Sequence, residues 1–214
     1  MTFPDALQMG RRPEERMLRW AIHEIAHNGE HAAEIREIAK LAKTSTSRFH
    51  EFFRCRDELL AAVFDRGWQI IERRISERVL ACLPTQDVVN IAIGVVEAVL
   101  DSMEDEKERD SVSAAIVLGL TCLGQPVFKQ LKEAPAYQRY RKISGQLRAA
   151  LSKFIPQDEA EEALELIFGA IVRRLLMLTP LFRKDKPFDR AVFLRVVRNM
   201  IQGVLNQGGQ AMNL

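Results

Sequence analysis

Cysteine is scarce in this chain: Cys55, Cys82 and Cys122 are odd in number, widely spaced and without a C-x-x-C pair. That excludes a disulfide framework or a zinc knuckle and fits a reducing compartment. Long apolar runs are missing too. "AAIVLGLTCLG" and "LIFGAIV" stop short of the ~18 residues a membrane span needs or meet Arg173 and Arg174, so no membrane partner is expected. The opening "MTFPDALQMGRRPEER" has neither the apolar block nor the small-residue cleavage site of a secretion signal, which makes the cytoplasm the expected location. A formal net charge of only +2 gives no overall pull toward a polyanion. The sequence offers no nucleophile with its base and acid, no glycine-rich phosphate loop and no carboxylate pair in an apolar setting. Neither catalysis nor a cofactor is expected.

What the chain does have is apolar residues at helical spacing almost throughout, with no alternation long enough for a strand. The expected fold class is all-α. A first helix runs from Pro13, suited to a first turn, through Met17, Leu18, Ala21, Ile22 and Ile25, and stops at Gly29, which tolerates a left-handed C-cap. A short second helix carries Ile35, Ile38, Ala39 and Ala42 on one face. After "KTS" a third begins at Ser45 or Thr46 and presents Phe49, Phe52 and Phe53. Three short helices with so tight a second connection make a helix-turn-helix unit.

The hydroxyl cluster Thr44, Ser45, Thr46 and Ser47 has a role in that unit. One hydroxyl can cap the third helix, and the rest project from its first turn, where short donors beside Arg48 suit phosphate oxygens and base edges in a major groove. Capping alone would explain one or two of them. Charge points the same way. Arg36, Lys40, Lys43, Arg48, Arg54 and Arg56 stand between residues 36 and 56 against only Glu37 and Glu51.

From Met17 to about Val63, and above all in "IREIAKLAKTSTSRFHEFFRCRDELLAAV", the chain resembles the DNA-binding domain of the TetR family of transcriptional regulators. The matching positions are Ile38-Ala39, Ala42, the turn Lys43-Thr44-Ser45, Phe49 to Phe53, and Arg56-Asp57-Glu58-Leu59-Leu60. The resemblance implies a helix-turn-helix DNA-binding domain over 1–56 and a helical effector-binding and dimerisation domain over 57–214, bridged by a long fourth helix at about 57–82. It further implies a homodimer that binds a palindromic operator in double-stranded DNA, most simply as a repressor released by a small-molecule effector. Thr46, Ser47, Arg48 and His50 would meet bases and nearby phosphates, Arg36, Lys43 and Arg56 would hold the backbone, and Ser45 completes the face. Some positions depart from the family pattern. Lys43 stands where the turn usually has Gly, His50 where the recognition helix has Tyr, Phe52 where it has His, Arg56 for Lys, and Ala33-Glu34 for a Thr pair. They keep open a second reading, a dimeric helical ligand-binding or adaptor protein with a degenerate helix-turn-helix.

Beyond Pro84, helices are expected near 87–102, 110–123, through "YQRYRKISGQLRAALSKF", and near 158–179 and 188–207, with "MEDEKERD" as a solvated loop. The last two are broadly apolar. By the resemblance they form the dimer interface, with Leu164, Phe168, Ile171, Leu175, Val197, Met200, Ile201 and Val204 as candidates, although an intramolecular core would use the same breadth. Trp68, Met103, Phe128, Tyr137, Phe168 and Met177 are candidate effector liners. The body has no histidine and few polar residues within its apolar stripes, which favours a largely hydrophobic effector. His23, His27 and His31 would stack on an unbroken helix as a metal site. Gly29 interrupts it and no acidic or Cys partner has ligand spacing, so no metal is expected there.

Overall fold

The computed structural model describes residues 12–82, 88–122, isolated positions between 131 and 145, 179–181 and 188–211. The described residues contain helices and no strand. Apart from residues 138, 141, 145 and 179, the helices expected through 137–154 and 158–179 lie outside them, as do Phe128, Tyr137, Leu164, Phe168, Ile171, Leu175 and Met177.

Helix α1 (Pro13–Asn28) opens with Pro13 and two acidic residues, Glu14 and Glu15, which suit the positive end of the helix dipole. Met17, Trp20, Ala21, Ile22, Ile25 and Ala26 form its buried face. Gly29 ends it, its N–H donating to the Ile25 carbonyl at 3.1 Å. The backbone there is not the left-handed helical cap expected from sequence. With φ 86° and ψ 175°, Gly29 lies in a mirror-image extended region open essentially to glycine alone. That geometry leads straight into a 3-10 turn at Glu30–Ala32, which periodicity did not announce.

The short helices α2 (Ile35–Leu41) and α3 (Thr46–His50) follow, then α4 (Arg56–Cys82), α5 (Val88–Glu104), α6 (Arg109–Thr121) and α7 (Arg190–Ala211). Two buried clusters organise them. The first joins Met17, Ile25, Ile38, Phe49, Phe53, Leu59 and Leu60 to Ala114, Val117 and Leu118, so α6 shares the core of the N-terminal helices. The second packs Ile71 and Ile75 of α4 against Ile93, Val96, Leu100 and Met103 of α5 and Val197 and Ile201 of α7. Trp68, partly buried, touches both.

Helices α4 and α6 pass very close to one another at Gly67. A Cβ added at Gly67 would lie 2.4 Å from both the Ala115 Cβ and the Ser111 carbonyl oxygen. Two polar contacts tie α6 to the N-terminal helices at its ends. Near its start, Asp110 receives His23 Nδ1 at 3.0 Å and His27 Nε2 at 3.3 Å. Burial raises the Asp110 carboxyl, but the His23 hydrogen bond and the charges of both histidines outweigh it and hold the group below its ordinary range. Just past the helix, the buried Cys122 thiol donates to the Glu30 carboxylate at 2.8 Å. Burial first, then Glu30, pushes that thiol up to about 12, which leaves it inert as a nucleophile at neutral pH.

The acidic "MEDEKERD" segment is not the solvated loop expected. Asp105 and Glu108 each lie 3.0 Å from the Arg74 guanidinium, Glu108 also pairs with Arg73, and Glu104 pairs with Arg190 at 2.6 Å. Asp101 accepts from Arg78 of α4 and Arg190 of α7, both at 2.6 Å. Burial raises its carboxyl too, but the two guanidinium hydrogen bonds and charges prevail and hold it below the ordinary carboxylate range.

Gly67→Ala should destabilise the protein by ~1–3 kcal/mol, because a methyl there must displace backbone rather than a flexible side chain. Thermal unfolding checks it, at about 2–4 °C of Tm per kcal/mol for a chain of this size. Asp101 ionises more readily folded than unfolded, so its contribution is complete above the unfolded pKa of ~4 and is lost as pH falls through the lower folded value. Asp101→Asn should therefore lower Tm near pH 7, and the gap to the wild-type chain should close in acid.

Candidate nucleic-acid interface

Helix α2 ends in a Schellman motif. The Thr44 N–H donates to the Ala39 carbonyl at 2.9 Å and the Lys43 N–H to the Lys40 carbonyl at 3.0 Å, which places Lys43 at the position after the cap. Lys43 has φ 50°, so the turn keeps the shape glycine would give it and strains a side chain instead. Arg16 of α1 holds the same corner, donating through Nε to the Ala42 carbonyl at 3.1 Å. Ser45 is then the N-cap of α3: its Oγ accepts from the Arg48 N–H at 3.0 Å, and its carbonyl receives the Phe49 N–H.

Phe49 and Phe53 fasten α3 from below, both buried, with ring centroids 5.4 Å apart. With that face fixed, Thr46, Ser47, Arg48 and His50 are exposed on the other, and Arg36 and Lys43 are exposed beside them. Arg36 and Lys43 form no ion pair with the described residues. Arg48 is already engaged: its guanidinium pairs with Glu51 and stands 5.4 Å over the Phe52 ring, at about half exposure. His50 Nδ1 lies 3.3 Å from the Arg54 carbonyl, which fixes the ring near the loop into α4. Arg54, absent from the residues expected at this face, is exposed there as well. Its place in the basic run beside Cys55 was the signal for it.

Arg56 differs from expectation. It turns back to the 3-10 turn, donating through Nη2 to the Glu30 carbonyl at 2.5 Å and through Nε to the Ala33 carbonyl at 3.2 Å, with Glu34 at 3.7 Å. Its hydrogen bonds satisfy backbone carbonyls at the joint between α1 and α2.

No family model matches the sequence, and no curated protein matches it. Solved structures do match the fold. The multidrug binding protein EbrR, determined with imidazole, superposes with a TM-score of 0.58 at 16% identity over 89% of this chain and 96% of its own. SCO7518 of Streptomyces coelicolor A3(2), described as a proposed transcriptional regulator, gives 0.55 at 21% identity over 88% and 97%. The superantigen PfiT gives 0.60 at 15% over 92% and 96%. The chain has a TetR-like fold.

Among the candidates in the body of this TetR-like chain, Met103 is buried in the second cluster and Trp68 packs 5.8 Å from Phe64 between the two clusters. The α7 candidates divide. Val197 and Ile201 are buried inside the chain against α5, whereas Met200 is 38% exposed and continues a stripe of Val192 at 42% and Val196 at 49%. Val204 belongs to α7, but its side chain is outside the described residues. No helix among the described residues is long and apolar enough to cross a membrane.

Lys43→Gly should raise stability by about 0.5–1 kcal/mol, because relief of the left-handed strain exceeds glycine's added unfolded-state entropy. Ser45→Ala should cost ~1 kcal/mol through the lost cap. Urea midpoints of the two variants measured beside the wild-type chain check both signs.

Proposed function

We propose that the chain is a homodimeric DNA-binding transcriptional regulator, a repressor that leaves a palindromic operator when a largely hydrophobic small molecule enters its C-terminal body. The observation that carries this reading is the two-sided character of α3. Phe49 and Phe53 are buried, while Thr46, Ser47, Arg48 and His50 stand exposed beside Arg36, Lys43 and Arg54. Short hydroxyls on the exposed first turn of a helix can meet base edges and phosphates, and the flanking cations can neutralise backbone charge. The regulator description of SCO7518 and the multidrug-binding description of EbrR support the reading, since this chain shares their fold. Fold alone does not assign function, as the superantigen PfiT illustrates.

On this reading the labour divides along the chain. Residues 1–56 form the DNA-reading domain and 57–214 the effector-binding and dimerising domain, with no catalytic role and a cytoplasmic site of action. Arg48 reads bases after exchanging Glu51 for DNA. Arg36, Lys43 and Arg54 hold phosphates. Arg56 supports the joint beneath them and is dropped as a phosphate ligand. The exposed stripe Val192, Val196 and Met200 forms this chain's share of the dimer interface. The adaptor reading draws on the inward turn of Arg56 and the pairing of Arg48 with Glu51, both of which remove cations from the face.

Fluorescence anisotropy with DNA from upstream of the chain's own gene, against a random duplex at two salt concentrations, tests the proposal. Salt-sensitive, sequence-selective binding at two chains per duplex is expected. Arg48→Ala should lose ~1–3 kcal/mol at the preferred sequence only, whereas Lys43→Ala should weaken all duplexes and flatten the salt slope by about one. Absence of binding to any member of a random-sequence pool would favour the adaptor. Val196→Asp combined with Met200→Asp should convert dimers to monomers in sedimentation, and dimers that persist would move the interface off this stripe.

A further inference from the structure

Two histidines of α1 and one aspartate of α6 converge at a place the DNA-binding reading does not use. His23 and His27 stand four residues apart on an unbroken helix, so their rings share a face, with centroids 4.3 Å apart. Asp110 arrives from the first turn of α6 and sets one carboxylate oxygen 3.0 Å from His23 Nδ1 and the other 3.3 Å from His27 Nε2. One donor atom from each residue lies within 4.8 Å of the others. We propose that His23, His27 and Asp110 form a binding site for a divalent transition-metal ion of the zinc and cobalt class, bridging α1 and α6.

Distances, donor chemistry and access agree. Bonds of about 2.0–2.1 Å to a tetrahedral ion put neighbouring donor atoms about 3.3 Å apart, and both nitrogen-oxygen pairs here are already near that separation. In the metal-free chain the same atoms share hydrogen bonds, which an ion would replace with little movement of the helices. Two imidazoles and one carboxylate suit zinc, cobalt, nickel or divalent copper, whereas magnesium and calcium prefer all-oxygen sets. The side chains of His23, Asp110 and His27 are 19%, 25% and 37% exposed, so the site opens on the His27 side, where water can complete the coordination. Trp20 packs its ring edge-on against His23, 6.0 Å between centroids, and steadies that ligand from the core side.

His31 has no part in the site. Beyond the break at Gly29 it is exposed, with its ring directed at Glu30, 3.5 Å away. Sequence spacing suggested a histidine triple, but the third ligand is an aspartate 83 residues after His27. An ion held there joins the helix beneath the recognition unit to the helix at the heart of the body. It stabilises the folded chain by mass action whether or not the chain binds DNA.

The test uses the untagged full chain, titrated with ZnCl2 by calorimetry and with CoCl2 by visible absorption. One ion per chain is expected, with cobalt d–d bands of tetrahedral or five-coordinate intensity that zinc abolishes and excess MgCl2 does not. His27→Gln, at the most exposed ligand, and Asp110→Asn, which keeps size and removes the charge, should each weaken zinc binding by at least ~10- to 100-fold, a loss known even for outer-shell partners. His31→Gln should leave it unchanged. Far-UV circular dichroism and metal-free Tm identify which variants remain folded. Failure of the folded wild-type chain to bind either ion, or wild-type zinc affinity in folded His27→Gln and Asp110→Asn, would overturn the site.

Discussion

The approach of α4 to α6 at Gly67 sets the positions of most other described elements. Glycine inside a helix costs about 1 kcal/mol relative to alanine, and here it lets a helix backbone pass where any side chain would strike the Ser111 carbonyl. At that spacing α6 does more than line the body. Its Ala114, Val117 and Leu118 enter the same cluster as Met17, Ile38 and Phe49, so the N-terminal helices share a core with it. They are not a separate bead on a flexible linker. Widening the gap at Gly67 would disturb the support of α3 as well as the body.

Polar contacts at the two ends of α6 complete this coupling. Asp110 holds α1 through two histidines, and Cys122 holds Glu30 in the turn that follows α1. Arg56 then joins the same turn to the start of α4 through the Glu30 and Ala33 carbonyls. A shift of α6 along or about its axis therefore pulls on α1 directly and reaches α4 through a shared backbone turn. If an effector acts on this chain as proposed, a displacement of α6 is one route by which it could reach α1, and its differential affinity for the two states would bound the response. The arginine pairs at Asp101, Asp105 and Glu108 fasten the other end of the α5–α6 corner to α4 and α7. That corner is therefore a fixed end rather than a hinge.

Local chemistry was legible in the sequence, and long-range pairing was not. Pro13, Gly29, the Ser45 cap and the apolar spacing of Phe49 and Phe53 follow from interactions a few residues apart, and the helices form where that chemistry puts them. Lys43 could be flagged because a lysine in a glycine position admits only strain or a different turn, and strain is the outcome. Arg56 could not be read, since its partners are carbonyls 23 and 26 residues earlier whose need for a donor arises only once the 3-10 turn exists. Asp110 escaped for the same reason, and the acidic run looked solvated because Arg73, Arg74 and Arg190 are distant in sequence. In α7, a broad apolar surface could not say which side faced inward. Packing on α5 took Val197 and Ile201 and left Val192, Val196 and Met200 outside.

Arg48 and Arg56 both have partners within the chain, yet the two engagements would weigh differently on the proposed DNA binding. The pair between Arg48 and Glu51 is half exposed, and such surface pairs are worth about 0–1 kcal/mol. A good bidentate base contact is worth about 1–3 kcal/mol, so if Arg48 reads DNA as proposed, exchanging Glu51 for a guanine edge would leave a net gain. Arg56 has no such exchange open to it. Leaving its site would take the side-chain donor from the partly buried Ala33 carbonyl and leave the Glu30 carbonyl with the Ala33 N–H alone. On the proposed reading the face would trade one phosphate ligand for a rigid joint and leave selectivity to Arg48 and the hydroxyls of the first turn. If the proposed reading holds, the strained Lys43 supplies an exposed cation two residues before the Ser45 cap that glycine could not, in exchange for the left-handed strain.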